Sequence, residues 1–248
     1  AYLLYTHRRT LERSGVLVVG PSSAFLHYID QVLPSLGETG VVSRTISDLI
    51  PGITATAGDS PYAAKLKGDR RMTSVVANAI AARVRVPAAL PTVTIQVPML
   101  ATDIEQAQAD AKRTRQPHNK ARETFIRSML TSMQNRYAEQ LDYTPDQAEL
   151  NRAMSLLRMN EQVRKTLNLC WLPMTAPWLI DQLFAHPERL KSLAGWLTDN
   201  DIAALARPKG SPLTRSDIPL LDEAMDMLEI EPERRESYKE KLQEMALQ

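Results

Sequence analysis

The stretch Val16-Leu17-Val18-Val19-Gly20-Pro21-Ser22-Ser23 decides how this chain is read. Four consecutive aliphatic residues closed by a glycine suit a short strand buried on both faces, as in a parallel sheet. Pro21 and Ser22 turn the chain, and Ser22 is placed to cap a helix running to Leu33, which Pro34 and Gly37 end. Upstream, residues 1–13 carry Leu3, Leu4 and Leu11 as inner positions of a helix that Gly15 breaks. Downstream, residues 40–45 read as a second strand, and Ile46-Ser47-Asp48-Leu49 starts a short helix. Helix, strand, helix, strand is the rhythm of an α/β domain with a parallel sheet. Two strands do not make an independent parallel sheet. The remaining strands are expected outside this chain or far along it, with outside preferred.

The 248 residues suffice for one large domain or two smaller ones. Apolar residues make up 44% and charged residues 24%, the balance of a globular protein with a core. A formal charge of +1 supplies no global attraction to nucleic acid or anionic membrane, so any such contact needs a local patch. One cysteine, Cys170, excludes a disulfide framework and a cysteine-based zinc site, and points to a reducing, cytoplasmic setting. No apolar run reaches the length of a membrane span, no signal peptide is present, and no membrane partner is expected. Aromatic residues, at 5%, are too few for a groove that stacks several bases. The chain opens without an initiator Met and is amphipathic from its first residue, which reads as a segment of a longer protein.

Residues 51–61 are rich in Gly, Pro, Thr and Ser and mark a boundary. Beyond it lie an expected helix over 72–84 and a strand over 92–97, with Val93, Ile95 and Val97 on one face. The chain is then almost entirely helical. Thr102-x-x-Glu105 and Thr144-Pro145-x-Gln147 both have the form of capping boxes. Phe125, Met129, Met133, Tyr137 and Leu141 recur every four residues, one buried stripe on a long helix. Further helices are expected at 146–169, 176–185, 187–195, 199–206 and 217–229, with Pro232 starting a last charged one. The fold class is α/β plus mainly α. Residues 1–60 form part of a sheet-bearing domain, 61–215 a helical domain and 216–248 a charged helical segment.

Catalytic signatures are missing: there is no phosphate loop of the form G-x-x-x-x-G-K-[ST], no G-x-G-x-x-G and no G-x-S-x-G. His7, His27, His118 and His186 are scattered without ligand spacing, so no metal or cofactor site is expected in this chain. Ile218-Pro219-Leu220-Leu221-Asp222-Glu223-Ala224 imitates the strand-then-Asp-Glu motif that holds magnesium in nucleotide hydrolases. Pro219 would interrupt a central strand. Leu220, Leu221, Ala224, Met225 and Leu228 instead form a helical stripe, with Asp222, Glu223 and Asp226 toward solvent. Lys112, Arg113, Arg115, Lys120 and Arg122 follow one another with no acid between, around Pro117, His118 and Asn119. They fit either a phosphate-contacting patch or a solvated helix junction. From Asp222 to Glu244 nine acids stand against four bases, a local charge of −5. That fits a solvated helix or an acidic arm able to compete with nucleic acid. Gly20, Pro21, Ser22 and Ser23 lie at the C-terminal end of the first strand, the edge where open α/β sheets and helix N-termini receive ligands, although ordinary strand–helix turns look the same.

Three blocks then carry a resemblance: residues 1–8 (Ala1-Tyr2-Leu3-Leu4-Tyr5-Thr6-His7-Arg8), the Val16–Ser22 run, and Phe25-Leu26-x-Tyr28-Ile29-x-Gln31-Val32-Leu33-Pro34-Ser35-Leu36-Gly37-Glu38. Together they resemble the HelD-type branch of superfamily 1 (UvrD/Rep-like) helicase-like proteins. The likeness continues through Lys67-Gly68, Pro117-His118-Asn119, His186-Pro187-Glu188-Arg189-Leu190 and the segment 218–224. It implies that the chain is the middle of a first RecA-like ATPase domain followed by a large helical insertion. The ATP phosphate loop would precede Ala1 and the magnesium-binding Asp-Glu-Ala-Gln motif would follow Gln248, so ATP and Mg belong to the parent. By the same resemblance Gly20 to Ser23 and Thr45-Ile46-Ser47 face nucleic acid. The implied partner is bacterial RNA polymerase, which members of the branch free from nucleic acid with ATP turnover. The alternative is a motor segment contacting single-stranded DNA, although aromatic residues often used there by true helicases are missing.

Overall fold

The computed structural model describes residues 6, 16–32, 41–50, 52–91 and 97–228. The expected helix over 1–13, apart from the helical Thr6, lies outside the described residues. So do most of the strand over 92–97 and everything after Leu228, including the helix at Pro232.

Strand β1 (Val16–Gly20) and strand β2 (Val41–Thr45) pair in parallel, in the register Val16↔Val41 through Gly20↔Thr45. Helix α1 (Ser23–Val32) crosses back between them. Its first turn is held by Ser22, whose Oγ accepts the Phe25 N–H at 3.2 Å, the cap the sequence anticipates. Two-sided burial of β1 does not hold. Leu17 and Val19 are 42% and 49% exposed, because no described element covers that face of the two-stranded sheet.

Past β2 the described residues are mainly helical. Helix α2 (Pro61–Lys67) starts within the stretch read as a boundary, with Ser60 accepting the Ala63 N–H at 3.1 Å. Helix α3 (Met72–Ala81) is shorter than the expected 72–84. It stops there because the chain becomes extended and Val84 bridges Trp171 in antiparallel fashion, with Arg85 N–H donating to the Cys170 carbonyl at 2.9 Å.

Helix α4 (Ala101–Arg113) is preceded by the extended Leu100, which leaves Thr102 inside the first turn, so its capping box does not form. Helix α5 (His118–Glu139) buries Phe125, Met129 and Met133 as expected; Leu141 falls past its end. The second expected box is displaced by two residues. Asp146, not Thr144, caps helix α6 (Gln147–Met159), accepting the Glu149 N–H at 2.7 Å. A carboxylate there also meets the positive end of the helix dipole, which a threonine hydroxyl cannot. The helix expected over 146–169 breaks at Asn160, whose extended backbone ends α6 while its side chain caps helix α7 (Glu161–Cys170). Helices α8 (Ala176–Ala185), α9 (Pro187–Leu193), α10 (Asp199–Leu205) and α11 (Ile218–Leu228) then follow the expected order.

Two hydrophobic cores result. One gathers Met72, Val75 and Val76 of α3, Leu179, Ile180 and Phe184 of α8, and Ile218, Leu221 and Ala224 of α11. The other gathers Ile104 of α4, Phe125, Met129 and Met133 of α5, Leu157 of α6, and Val163 and Trp171. Ile50, just past β2, belongs to the first core. The division of the sequence at 215/216 therefore crosses one continuous core, since α11 packs within it. Among the described residues no helix is long and apolar enough to cross a membrane.

Candidate nucleic-acid interface

Parallel pairing brings the two candidate motifs of the sheet together. Gly20 and Thr45 are register partners at the C-terminal ends of adjacent strands, and Pro21, Ser22 and Ser23 continue from that edge into α1. A β-carbon on Gly20 would lie 2.4 Å from Leu26 Cδ2 and 2.7 Å from its Cγ, so the close approach of strand and helix demands glycine here. Thr45 donates its hydroxyl proton to Asp48 Oδ2 at 2.5 Å, which orders the 3₁₀ turn Ile46–Asp48. Ser22 and Ser23 are exposed beside them. The exposed Phe25 and Ile46 border this polar edge.

The cation run at 112–122 is only partly available. Arg113 pairs with Asp110 one turn back, and Lys120 pairs with Glu123 at 3.0 Å. Arg122 is used inside the molecule: its Nε donates to the Trp171 carbonyl at 2.9 Å and its Nη2 to Asn168 Oδ1 at 2.6 Å. His118 and Asn119 work beside it. His118 is buried, with Nε2 2.7 Å from the Leu172 carbonyl, and burial lowers its affinity for a proton. The Asn119 amide donates to the Met174 carbonyl at 2.9 Å and accepts its N–H at 3.2 Å. Trp171 Nε1 closes the set by donating to the His118 carbonyl at 3.1 Å, its ring stacked on Phe125. These residues clasp the start of α5 to the segment 168–174, where the two cores meet. Lys112 and Arg115 remain exposed, Arg115 with a positive φ of 54°.

Asp222 and Glu223 sit on α11 as the helical reading requires, with Leu220, Leu221, Ala224 and Leu228 buried on its other side. Burial, then Asp226, raises the Asp222 carboxyl above its ordinary value. No group of three His, Cys, Asp or Glu side chains among the described residues is placed to hold a metal ion.

A charged centre that sequence reasoning missed lies in the first core. Lys67 Nζ meets Asp59 at 2.7 Å and Asp217 Oδ1 at 2.9 Å, and Arg207 Nη1 meets Asp217 Oδ2 at 2.6 Å. Thr214 donates its hydroxyl to Asp59 at 2.5 Å and its backbone N–H to Asp217 at 2.8 Å. The Phe184 ring lies 5.0 Å from the Lys67 ammonium and 5.2 Å from the Arg207 guanidinium. Burial works to raise the Asp217 carboxyl, but the Thr214 N–H, Lys67 and Arg207 together outweigh it and hold it below the usual range. Two cations against two carboxylates leave the cluster neutral, while Arg207 Nε and Nη2 are buried with no hydrogen-bond partner among the described residues. Its members are spread from position 59 to 217, so spacing offered no signal.

Comparison of the sequence with protein-family models and with curated proteins finds no match. The class that fold and site define is a mainly helical protein carrying a two-stranded parallel sheet.

Proposed function

We propose that this chain is a contact segment of a HelD-like, ATP-dependent helicase-like protein that binds bacterial RNA polymerase in the cytoplasm and helps release it from nucleic acid. The observation that carries the reading is the parallel β1–β2 pair. It is too small to be a sheet by itself, leaves Leu17 and Val19 exposed, and sets Gly20 beside Thr45 at its C-terminal edge. A sheet of that kind fits as one portion of a RecA-like ATPase domain, with the helical region after Pro61 as the insertion that touches polymerase. ATP and Mg would be held by the parent outside these residues.

Co-elution with core polymerase tests the reading: a stable complex supports it, and no complex with either the chain or a longer parent overturns it. The second reading, a motor segment tracking single-stranded DNA along Ser22 and Thr45, is favoured by their exposed, shared edge. It predicts oligonucleotide binding that falls when Ser22→Ala and Thr45→Ala are combined, with no affinity for polymerase.

A further inference from the structure

We propose that the outer face of α6 is a docking surface for an acidic amphipathic helix of a protein partner. Helix α6 carries apolar side chains on two sides. Ala153 and Leu157 are buried, Leu157 in the second core, whereas Leu156 and Met159 are 58% and 78% exposed. Met159 is the most exposed large apolar residue among those described. Arg152, Leu156 and Met159 follow one another at i, i+4 and i+7 on this helix, so they stand in one column along its surface. Ser155 lies beside them, its hydroxyl turned back to the Asn151 carbonyl at 2.9 Å. Arg158, also exposed, flanks the column. The extended backbone of Asn160 ends α6 and leaves Met159 at the corner before α7.

The charge around this column is one-sided. Residues 147–170 hold four cations, Arg152, Arg158, Arg164 and Lys165, against two carboxylates, Glu149 and Glu161. Both carboxylates are engaged: Glu149 accepts the Tyr143 hydroxyl at 2.6 Å, and Glu161 pairs with Lys165 at 2.7 Å. No carboxylate among the described residues pairs with Arg152 or Arg158. An apolar pair beside guanidiniums without a counterion matches a ligand that carries an apolar stripe bordered by carboxylates. A helix with large aliphatic residues one turn apart and glutamates along their edge has that form. The unbranched Met159 side chain adapts its shape to such a stripe. Phosphodiester backbone would use the arginines and leave Leu156 and Met159 in water, and the column offers no ring on which a base could stack. Two apolar side chains are too few to hold a helix in a lipid interface. The surface lies on a different element from the β1–α1 turn and from the run at 112–122, and rests on no part of the polymerase reading.

Fluorescence anisotropy of a labelled amphipathic peptide of leucine and glutamate, titrated with this chain, tests the proposal. The same peptide with lysine in place of glutamate is the control. The chain should bind the glutamate peptide less tightly as salt rises, and the lysine peptide at least about tenfold more weakly. Leu156→Ser with Met159→Ser should weaken binding of the glutamate peptide by about tenfold or more. Arg152→Glu with Arg158→Glu should weaken it by about as much and remove the salt dependence. Lys209→Glu, in the exposed turn after α10, should change affinity by less than about threefold. Where a double variant does not melt like the parent chain, Met159→Ser and Arg152→Gln are compared singly. No binding, or equal affinity of the parent chain and the α6 variants, overturns the proposal, and equal binding of the lysine peptide overturns the acidic assignment. Self-association abolished by Met159→Glu would make a second copy the occupant, and capture by anionic phospholipid vesicles lost in the same variants would make it a membrane; either overturns the proposal. Polymerase binding is read separately, so either claim can fail without the other.

Discussion

Gly20 shows how a single residue ties sequence to placement. The glycine closing an aliphatic run was legible as a turn; that it must also admit Leu26 was not, because the contact depends on how α1 lies over the strand. Leu26 is buried, and a β-carbon at position 20 would force its side chain to shift, so Gly20→Ala should cost about 1–3 kcal/mol, measured by urea denaturation. Lys67 makes the opposite point. Its partners at 59, 214 and 217 are distant in sequence, and only folding assembles them. Asp217→Asn leaves Lys67 and Arg207 short of a buried counterion and should cost about 3–5 kcal/mol. The pH dependence has a definite sign. Because the folded Asp217 carboxyl sits below its unfolded value, its stabilising contribution is present above the ordinary carboxylate range. It is lost as pH falls through the folded value. Acid-induced loss of stability should therefore be steeper in the parent chain than in Asp217→Asn, when denaturation midpoints are compared from neutral to acidic pH. Cys170 offers a cleaner probe. It is fully buried, and burial pushes its thiol up to about 12, so native protein should not react with a thiol reagent until it unfolds.

Helices were the most legible elements, because a four-residue apolar repeat survives any error about where a helix starts. Phe125, Met129 and Met133 declared α5, and α8 begins and ends where its pattern does. Caps were less legible. Thr102 and Thr144 offered the right residue types at the right spacing, yet Leu100 and Asp146 occupy the cap positions, since the entering chain direction decides which residue is extended. Asn160 was missed for the same reason: apolar spacing runs on across it while its backbone does not. Replacing it with Ala removes the acceptor for the Val163 N–H and should cost about 1 kcal/mol, seen as a lowered thermal midpoint. The cation run at 112–122 was visible as charge, but its occupancy was not. Arg122→Ala should destabilise the clasp at Trp171 and Asn168, so a weakened variant there reports on folding before it reports on any ligand.

At the scale of the molecule, α/β order at the start and helices thereafter were both readable, and the two hydrophobic cores were not. One of them gathers residues as far apart in sequence as 50 and 228, which no local pattern announces. The parallel β1–β2 pair was readable because alternation of strand and helix leaves little choice of topology. What the pair belongs to rests on the resemblance to helicase-like proteins and on the exposed apolar face of β1. From that reading the isolated chain should show no ATP hydrolysis in a phosphate-release assay, since it contains no phosphate loop; turnover by a clean preparation would refute it. The most direct measurement of the central claim is an equilibrium titration of labelled chain with bacterial core RNA polymerase. Saturable binding that persists when Ser22 and Thr45 are replaced by alanine is the expected result. No binding to polymerase, together with oligonucleotide binding abolished by those two substitutions, would contradict it and leave the single-stranded DNA reading in its place.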